Sequence, residues 1–277
     1  MLSARWDFRY LKLSIVLSTQ PASFSALAYQ GELEQTIAKI SDLGYDGVEL
    51  AVRDPGLLDI ASIKSFVQAN KLVVPAIGTG QAYGEEGLSL ASPDADIRTH
   101  AIERLMAHAE FASEFGAVVI IGLIRGTTSN RTDYQKACSL IVKGLRTLGL
   151  SNPAVQFAVE PINRYETDLV ITVEAGLELV AQIGLDNVGL LLDTFHMNIE
   201  EPDVLQSIRS AASKIFHFHV ADSNRWYPGA GHIDFSAILK SLDSVGYEGF
   251  ISAEIMPFPD SDISAARTIE HLRALPQ

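Results

Sequence analysis

The chain has 277 residues, of which 47% are hydrophobic and 20% are charged, and its formal net charge at pH 7 is −13. This length and apolar content allow one full core, so we expect a single domain over residues 1–277. The acidic balance argues against nucleic acid as a partner, because binding to a phosphate backbone depends on Lys and Arg. We therefore expect a small-molecule partner.

Residues 1–10 carry charges where a secretory signal requires an unbroken apolar region, and no stretch reaches the ~20 apolar residues of a membrane span. We expect a soluble, cytoplasmic protein with no membrane partner. The single cysteine, Cys138, excludes an intrachain disulfide and a thiolate metal site. It lies in the helical pattern 134–149, which predicts a core thiol.

One unit recurs along the chain: a helical pattern, a glycine that ends it, and a β-branched apolar run. Such glycines are Gly44, Gly116, Gly184 and Gly246. Strands are predicted, in chain order, at 12–17, 47–51, 73–78, 117–122, 156–160, 188–193, 215–219 and 250–254. Helices are predicted at 33–43, 60–70, 94–115, 134–149, 172–183, 203–212, 235–245 and 265–275.

Eight strands alternating with eight helices predict an α/β fold with a parallel sheet, and eight strands close a (β/α)₈ TIM barrel. An open doubly wound sheet is the alternative. It is disfavoured because no Gly-x-Gly-x-x-Gly follows the first strand. The glycine-rich segment 78–84 has a different spacing, and we interpret it as a flexible loop over the barrel mouth.

Four of the later strands end in a side chain that can bind a metal: Glu160, Asp193, His219 and Glu254. The C-terminal ends of barrel strands are where catalytic residues are expected. The period of two directs Ala158, Leu191 and Ser252 to the same interior as these residues. In Phe216-His217-Phe218-His219 it predicts both histidines inside and both phenylalanines against the helices, with His217 as a hydrogen-bonded interior residue below the site.

A mixed Glu, Asp and His set without cysteine suits Mn²⁺, Mg²⁺ or Co²⁺ better than structural zinc. Four protein ligands leave positions where a substrate with adjacent oxygens can chelate. Taken singly, Asp193 could cap a following helix, and Glu160 or Glu254 could form barrel ion pairs. The plainer interpretations would need four independent coincidences at strand ends, so the metal site is favoured.

Three segments carry a resemblance to a known family: Glu160-Pro-Ile-Asn-Arg-Tyr-Glu166, Leu192-Asp-Thr-Phe-His-Met-Asn198 and His219-Val-Ala-Asp-Ser-Asn-Arg225. They resemble the D-tagatose/D-psicose 3-epimerases, which belong to the xylose isomerase-like barrel superfamily. The match is close over residues 156–256. In the first half, including 79–90 and 122–126, it extends only to the rhythm of strands and helices, so the sugar itself is not defined.

The resemblance implies one Mn²⁺-type ion, with Mg²⁺ or Co²⁺ as alternatives, held by Glu160, Asp193, His219 and Glu254. It also implies that Glu160 and Glu254 form the acid/base pair that acts on the sugar. Three further residues would contact the O1 and O2 end of the sugar: Glu166, His196 and Arg225. Members of the family are commonly dimers or tetramers, which implies a homo-oligomer.

The expected chemistry is removal of a proton next to a carbonyl, which requires a positioned base and stabilisation of the enediolate oxygens. Two carboxylates on opposite faces can remove a proton and return one with inverted configuration. Return to the adjacent carbon gives an aldose–ketose isomerase, and loss of water gives an inosose dehydratase-type lyase. An apurinic endonuclease-like nuclease is disfavoured by the net charge, and a non-catalytic sugar-binding barrel by the acid/base pair.

Several of these residues have plainer interpretations. Glu166 and His196 could lie in solvated loops, and Arg225 could pair with Asp222 or Asp234. Arg125, after the fourth strand, could bind a substrate phosphate, although a simple loop charge is favoured.

Overall fold

The computed structural model describes residues 11–128 and 134–276. The expectation that residues 1–10 are not a secretory signal lies outside this range. None of the described helices combines the length and the apolar character needed to cross a membrane.

Nine strands occur in the described part of the chain, and all of their pairings are parallel. They are β1 (Leu13–Ser18), β2 (Tyr29–Gln30), β3 (Gly47–Ala51), β4 (Ala76–Gly78), β5 (Val118–Ile121), β6 (Phe157–Val159), β7 (Val188–Asp193), β8 (Ile215–Val220) and β9 (Ile251–Ala253). The sheet closes because β1 pairs with β3 on one side and with β9 on the other. The chain therefore forms a single TIM barrel, and the predicted (β/α)₈ fold is confirmed.

The eight barrel strands are the eight predicted ones, and β2 is an addition. This two-residue strand pairs with the end of β1, Leu17 with Tyr29 and Ser18 with Gln30, above the stretch of β1 that pairs with β9. It extends the wall of the barrel at the C-terminal rim, where the site lies.

Ten α-helices surround the barrel in the described residues. They are α1 (Leu33–Asp42), α2 (Ile60–Ala69), α3 (Gly80–Glu86), α4 (Ala95–Ser113), α5 (Tyr134–Ser151), α6 (Val173–Ile183), α7 (Thr194–Glu200), α8 (Val204–Ala211), α9 (Phe235–Ser244) and α10 (Ser261–Ala274). Short 3₁₀ turns span Pro55–Leu57, Leu123–Arg125 and Ala212–Lys214. All eight predicted helices are present, and α3 and α7 were not predicted.

The interpretation of segment 78–84 as a flexible loop is wrong, because α3 starts at Gly80. Gly80 and Gly84 lower the intrinsic helix propensity, but tertiary contacts override it. Gln81 and Ala82 are buried, and Gly87, with φ of 70°, ends the helix in the left-handed conformation. A packed helix therefore forms part of the wall at the barrel mouth.

The core has two layers that follow the period of two along the strands. Inside the barrel, a small apolar cluster is formed by Ala76, Val118, Ile120, Ala158 and Leu191. The side chains between them in sequence face the helices and join the main core, which also contains the buried Cys138, as predicted. The barrel interior is thus apolar at this level and polar at the rim.

One orientation prediction is wrong in β8. Phe218 belongs to the core on the helix side, but Phe216 packs against the apolar cluster inside the barrel. The reason is a register shift between β7 and β8: Leu190 pairs with Ile215 and Leu191 with His217, which leaves Phe216 unpaired. Such a bulge breaks the strict alternation of side chains.

Candidate active site

The four residues predicted as metal ligands lie together at the C-terminal rim of the barrel. Asp193 ends β7, His219 lies in β8, and Glu160 and Glu254 directly follow β6 and β9. Each offers one donor atom, and these atoms all lie within 4.8 Å of one another. Neighbouring parallel strands bring their ends to the same rim, which is why residues almost a hundred positions apart meet here.

Three of these residues have a buried polar atom without a hydrogen-bond partner among the described residues: Glu160 Oε1, Asp193 Oδ2 and His219 Nδ1. Such atoms are costly to bury unless something satisfies them. The other oxygen of Asp193 accepts from the backbone N–H of Phe195 at 2.7 Å and caps α7. Asp193 therefore caps a helix with one oxygen and presents the other to the cluster as a possible metal ligand. Three carboxylates and one imidazole fit a divalent cation of the Mn²⁺ type.

Glu49, in the middle of β3, holds the imidazole of His219 from the other side. Its carboxylate is buried and lies 3.0 Å from His219 Nε2 and 2.8 Å from His217 Nε2. Because Nε2 of His219 donates to Glu49, Nδ1 is the nitrogen that faces the cluster, 3.9 Å from Asp193 Oδ2. His217 is a hydrogen-bonded interior residue, as predicted.

Electrostatics favour a cation at this position. Burial raises the pKa of Glu160, Asp193 and Glu254, and the neighbouring charge of Glu254 raises that of Glu160 further. Burial lowers the pKa of His219, but Glu49 and then other carboxylates outweigh it and raise the value to about 10. Burial, with the repulsion between neighbouring carboxylates, thus disfavours the ionised carboxylates when they stand alone, and a cation would bind in place of the protons.

The pKa of Glu49 moves in the opposite direction. Burial would raise it, but the two imidazoles of His219 and His217 outweigh burial and hold it below its ordinary range. Glu49 is therefore an anion at neutral pH.

His196 projects from α7 beside this cluster and is buried rather than solvated. Its Nε2 lies 3.5 Å from Glu160 Oε1, and Asn163 Nδ2 donates to its Nδ1 at 2.7 Å. The orientation of Asn163 is fixed, because its Oδ1 accepts from the backbone N–H of Tyr165. With Nδ1 as an acceptor, the proton of neutral His196 is on Nε2. Burial, followed by the charge of Arg225, keeps the pKa of His196 well below its usual value.

Arg225 connects Glu166 to Glu254. Its Nη1 donates to Glu166 Oε1 at 2.7 Å and its Nη2 to Glu254 Oε2 at 3.1 Å. The guanidinium lies over the rings of Phe24 and Phe195, 5.0 and 4.7 Å from their centroids. The three residues expected at the O1 and O2 end of a sugar thus border the cluster: Glu166, His196 and Arg225.

Neither Asp222 nor Asp234 pairs with the Arg225 side chain. Asp222 is fully buried and accepts the backbone N–H groups of Ser223, Gly229 and Ile233, which fixes the loop after β8. Asp234 caps α9. The backbone of Arg225 has φ of 62°, and its N–H donates to the carbonyl of Asp222. This loop therefore aims the guanidinium at the carboxylates.

Both interpretations of Arg125 are wrong. The residue is fully buried, and its guanidinium donates to the backbone carbonyls of Gly122, Leu169 and Val170. With these donors occupied, it is neither a loop charge in solvent nor a phosphate ligand. Burial lowers its pKa to about 10, against the opposing effect of Glu160. It joins the loops after β5 and β6 beneath the site.

A cavity of ≈180 Å³ opens beside the cluster at the barrel mouth. Glu160, His219 and Glu254 line one end together with Glu166, His196 and Arg225. The remaining wall is mainly apolar or glycine and is contributed by β1, β3, β4, β5, α3 and the loops that follow these strands. A concave, mainly apolar cavity with a few convergent polar groups is typical of a small-molecule site.

A family model described as a xylose isomerase-like TIM barrel matches residues 37–275. The chain belongs to this family. An L-ribulose 3-epimerase of Mesorhizobium japonicum is 32% identical over 238 residues, covering 83% of this chain and 78% of the relative. A D-psicose 3-epimerase of Ruminiclostridium cellulolyticum is 30% identical over 239 residues, covering 82% and 79% of the two chains.

A solved structure of an L-ribulose 3-epimerase superposes with a TM-score of 0.76 at 29% identity, and the match covers 95% of this chain and 92% of that one. The named relatives of this xylose isomerase-like barrel are thus ketose 3-epimerases, which are enzymes of the isomerase class. Their matches extend over most of the chain, well beyond residues 156–256.

The role of Glu49 as a partner of His217 and His219 at this site was not predicted from the sequence. A signal was present, since Glu49 is a lone carboxylate in an otherwise apolar strand, Gly47–Ala51. A charged residue in such a strand is buried at a cost unless it has a partner. Its partners lie 168 and 170 residues away, in β8.

Proposed function

We propose that this chain is a divalent-metal-dependent ketose 3-epimerase that acts on a ketose through a cis-enediolate. The observation that carries the proposal is the cluster of Glu160, Asp193, His219 and Glu254, whose ligand atoms converge beside one cavity and three of which have a buried atom without a partner among the described residues. The ketose 3-epimerase relatives support the same reaction type.

The same four residues would hold the ion, with His219 contributing Nδ1. We propose Mn²⁺ as the native ion, with Mg²⁺ and Co²⁺ as alternatives, because carboxylate and imidazole donors suit all three. When bound, the cation would polarise the sugar carbonyl and stabilise the negative charge that develops on its oxygen.

Glu160 and Glu254 carry the proton transfers. One carboxylate removes the proton from C3 of the ketose, and the carboxyl group on the opposite side returns a proton to the other face. The product has inverted configuration at C3, and the two residues have exchanged their protonation states. Burial raises the pKa of both carboxyl groups, which makes each carboxylate a stronger base.

Arg225, Glu166 and His196 orient the end of the sugar that carries the carbonyl. Arg225 forms ion pairs with Glu166 and with Glu254, so its guanidinium is fixed between these two carboxylates. Neutral His196 offers an Nε2–H donor next to Glu160. We propose that this donor and the guanidinium bind O1 and O2, so that C3 lies between the two glutamates.

Proton NMR in D₂O tests this proposal with a panel of ketopentoses, ketohexoses and inososes, with Mn²⁺ or with EDTA. We expect exchange of the C3 proton only with Mn²⁺, and its loss in Glu254→Gln. Glu114→Gln, at a surface ion pair with Lys64, is the matched control and should retain exchange. Exchange at C1 instead would indicate an aldose–ketose isomerase, and loss of water from an inosose a dehydratase. No exchange with any sugar, with metal shown to be bound, contradicts the proposal.

Further properties stay predictions: one domain over residues 1–277, a cytoplasmic location and a homo-oligomer of two or four chains. No observation in the described residues favours the nuclease or the sugar-binding alternative over the epimerase.

A further inference from the structure

Gln81, in the first turn of α3, lines the cavity and has a buried side-chain acceptor atom without a partner among the described residues. The residue is only 7% exposed. The amide Nε2 donates to Ser18 Oγ at 2.7 Å, and Ser18 Oγ donates to the carbonyl of Gln20 at 2.5 Å. Because the Ser18 hydroxyl proton is used by Gln20, Ser18 can only accept from Gln81, which fixes the orientation of the amide. Oε1 is then left buried without a partner among the described residues.

The neighbouring polar side chains of the wall already have partners. Thr79 Oγ1 donates to the carbonyl of Ile120 at 2.7 Å, and Ser23 Oγ donates to Glu85 Oε1 at 2.7 Å. Around them the wall is apolar, with Val16, Phe24, Leu27 and Ala51. A buried carbonyl oxygen in such a wall is costly unless a donor such as a ligand hydroxyl or a water reaches it.

Gln81 and the metal cluster belong to different parts of the barrel. Gln81 follows β4 and hydrogen-bonds to the end of β1. The four proposed metal ligands, in contrast, come from the ends of β6 to β9. Glu166, His196 and Arg225 also come from the β6 to β8 side. A ketose whose carbonyl end is bound by that group therefore extends its remaining carbons towards the wall that contains Gln81.

We propose that Gln81 determines specificity: its Oε1 accepts a hydrogen bond from a hydroxyl of the ketose beyond C3. The inference rests on the proposed ketose 3-epimerase activity. An amide oxygen only accepts, so the matching group must be a donor, and a free hydroxyl is the donor that a sugar offers there. A deoxygenated carbon leaves Oε1 unpaired, and a phosphate ester adds acceptors and negative charge near Glu85. The site thus selects ketoses with a free hydroxyl at this position.

The test compares kcat/KM for a ketohexose with kcat/KM for its analogues deoxygenated at C4, C5 or C6, using the Mn²⁺-loaded protein. For wild type we expect one analogue to be about 10–100-fold poorer than the parent sugar, since a site built around a hydroxyl rejects the analogue that lacks it. This comparison uses wild type alone, so it does not depend on the folding of a variant. The 6-phosphate should also be poor.

Gln81→Met keeps the length of the side chain and removes the amide. We expect it to lose about 10–100-fold in kcat/KM on the parent sugar and about threefold or less on the affected analogue, so that the two sugars become equivalent. Gln68→Met, on the exposed face of α2, is the matched control and should behave like wild type. Thermal melts of both variants report on folding.

The outcomes separate this inference from the proposed function. Equal losses on the parent and the analogue, or discrimination that persists in Gln81→Met, would overturn the role of Gln81 while turnover by wild type upholds the epimerase. Wild type that binds Mn²⁺ and turns over no ketose would overturn both.

Discussion

Glu49→Gln tests whether the carboxylate behind His219 sets the metal affinity of the site. The substitution keeps the shape of the side chain but removes its charge and converts one acceptor oxygen into an NH₂ donor. The two oxygens of Glu49 serve imidazole N–H donors at 2.8 Å and 3.0 Å. An amide in the same place therefore directs its NH₂ group at the imidazole N–H of His217 or of His219, and no hydrogen bond can form there.

The expected loss follows from that geometry. A hydrogen bond to a charged group contributes about 1.5–3 kcal/mol. Only part of this is lost if the amide oxygen keeps His219, and all of it if the NH₂ group faces His219. Metal ligands whose outer partner is removed lose roughly 10–100-fold in affinity. We expect the Mn²⁺ dissociation constant of Glu49→Gln to rise by about that factor.

Isothermal titration of Mn²⁺, with EDTA as a competitor for tight binding, measures this effect. Glu114→Gln makes the same chemical change at an exposed ion pair with Lys64 and should bind Mn²⁺ like wild type. A folded Glu49→Gln protein with wild-type Mn²⁺ affinity would refute the reasoning, because His219 would then need no partner at Nε2.

Three further predictions concern the same site. Gly122→Ala should weaken Mn²⁺ binding by roughly tenfold, because the added Cβ would lie 2.9 Å from Glu160 Oε2; Gly84→Ala, whose Cβ meets nothing within 4 Å, should leave titration calorimetry unchanged. Asp193→Asn should lose at least about 100-fold in Mn²⁺ affinity by calorimetry, while Asp203→Asn, at the cap of α8, should lose none. Replacing Mn²⁺ by EDTA should lower the Tm by about 5 °C near pH 8 and by less near pH 5.5. The fold raises the pKa values of Glu160 and Asp193 above those of the unfolded chain. Without the ion, the fold therefore loses stability as the pH rises above the pKa values of the unfolded chain. The ion offsets this loss most at the pH where the two carboxylates are ionised. An ion effect on the Tm that is equal at both pH values would contradict the last prediction.

The barrel could be predicted because its elements are strongly periodic and punctuated. Apolar runs such as Val188–Asp193 and glycines such as Gly184 mark strands and helix ends by local chemistry alone. The four candidate metal ligands at the strand ends could also be chosen from the sequence, because the C-terminal ends of parallel strands lie at the same rim of the barrel. Bulges follow no such rule, and the displacement of Phe216 depends on pairing with β7.

The features that sequence reasoning missed depend on contacts between distant segments. α3 forms although Gly80 and Gly84 disfavour it, because Gln81 and Ala82 are buried against the rest of the fold. Arg125 is charged, and its sequence neighbours do not reveal that carbonyls of Leu169 and Val170 would enclose it. Glu49 meets its histidines across the barrel interior, a relation that no local pattern contains.

The two oxygens of Asp193 tie the proposed metal site to the segment that carries His196. One oxygen caps α7 and the other faces the cluster, so an ion that orders this carboxylate also stabilises the first turn of the helix. Ion and sugar would then be thermodynamically linked: the ion raises the affinity for the sugar, and the sugar raises the affinity for the ion by the same factor. Such reciprocity predicts that the protein binds its metal most tightly while it holds substrate.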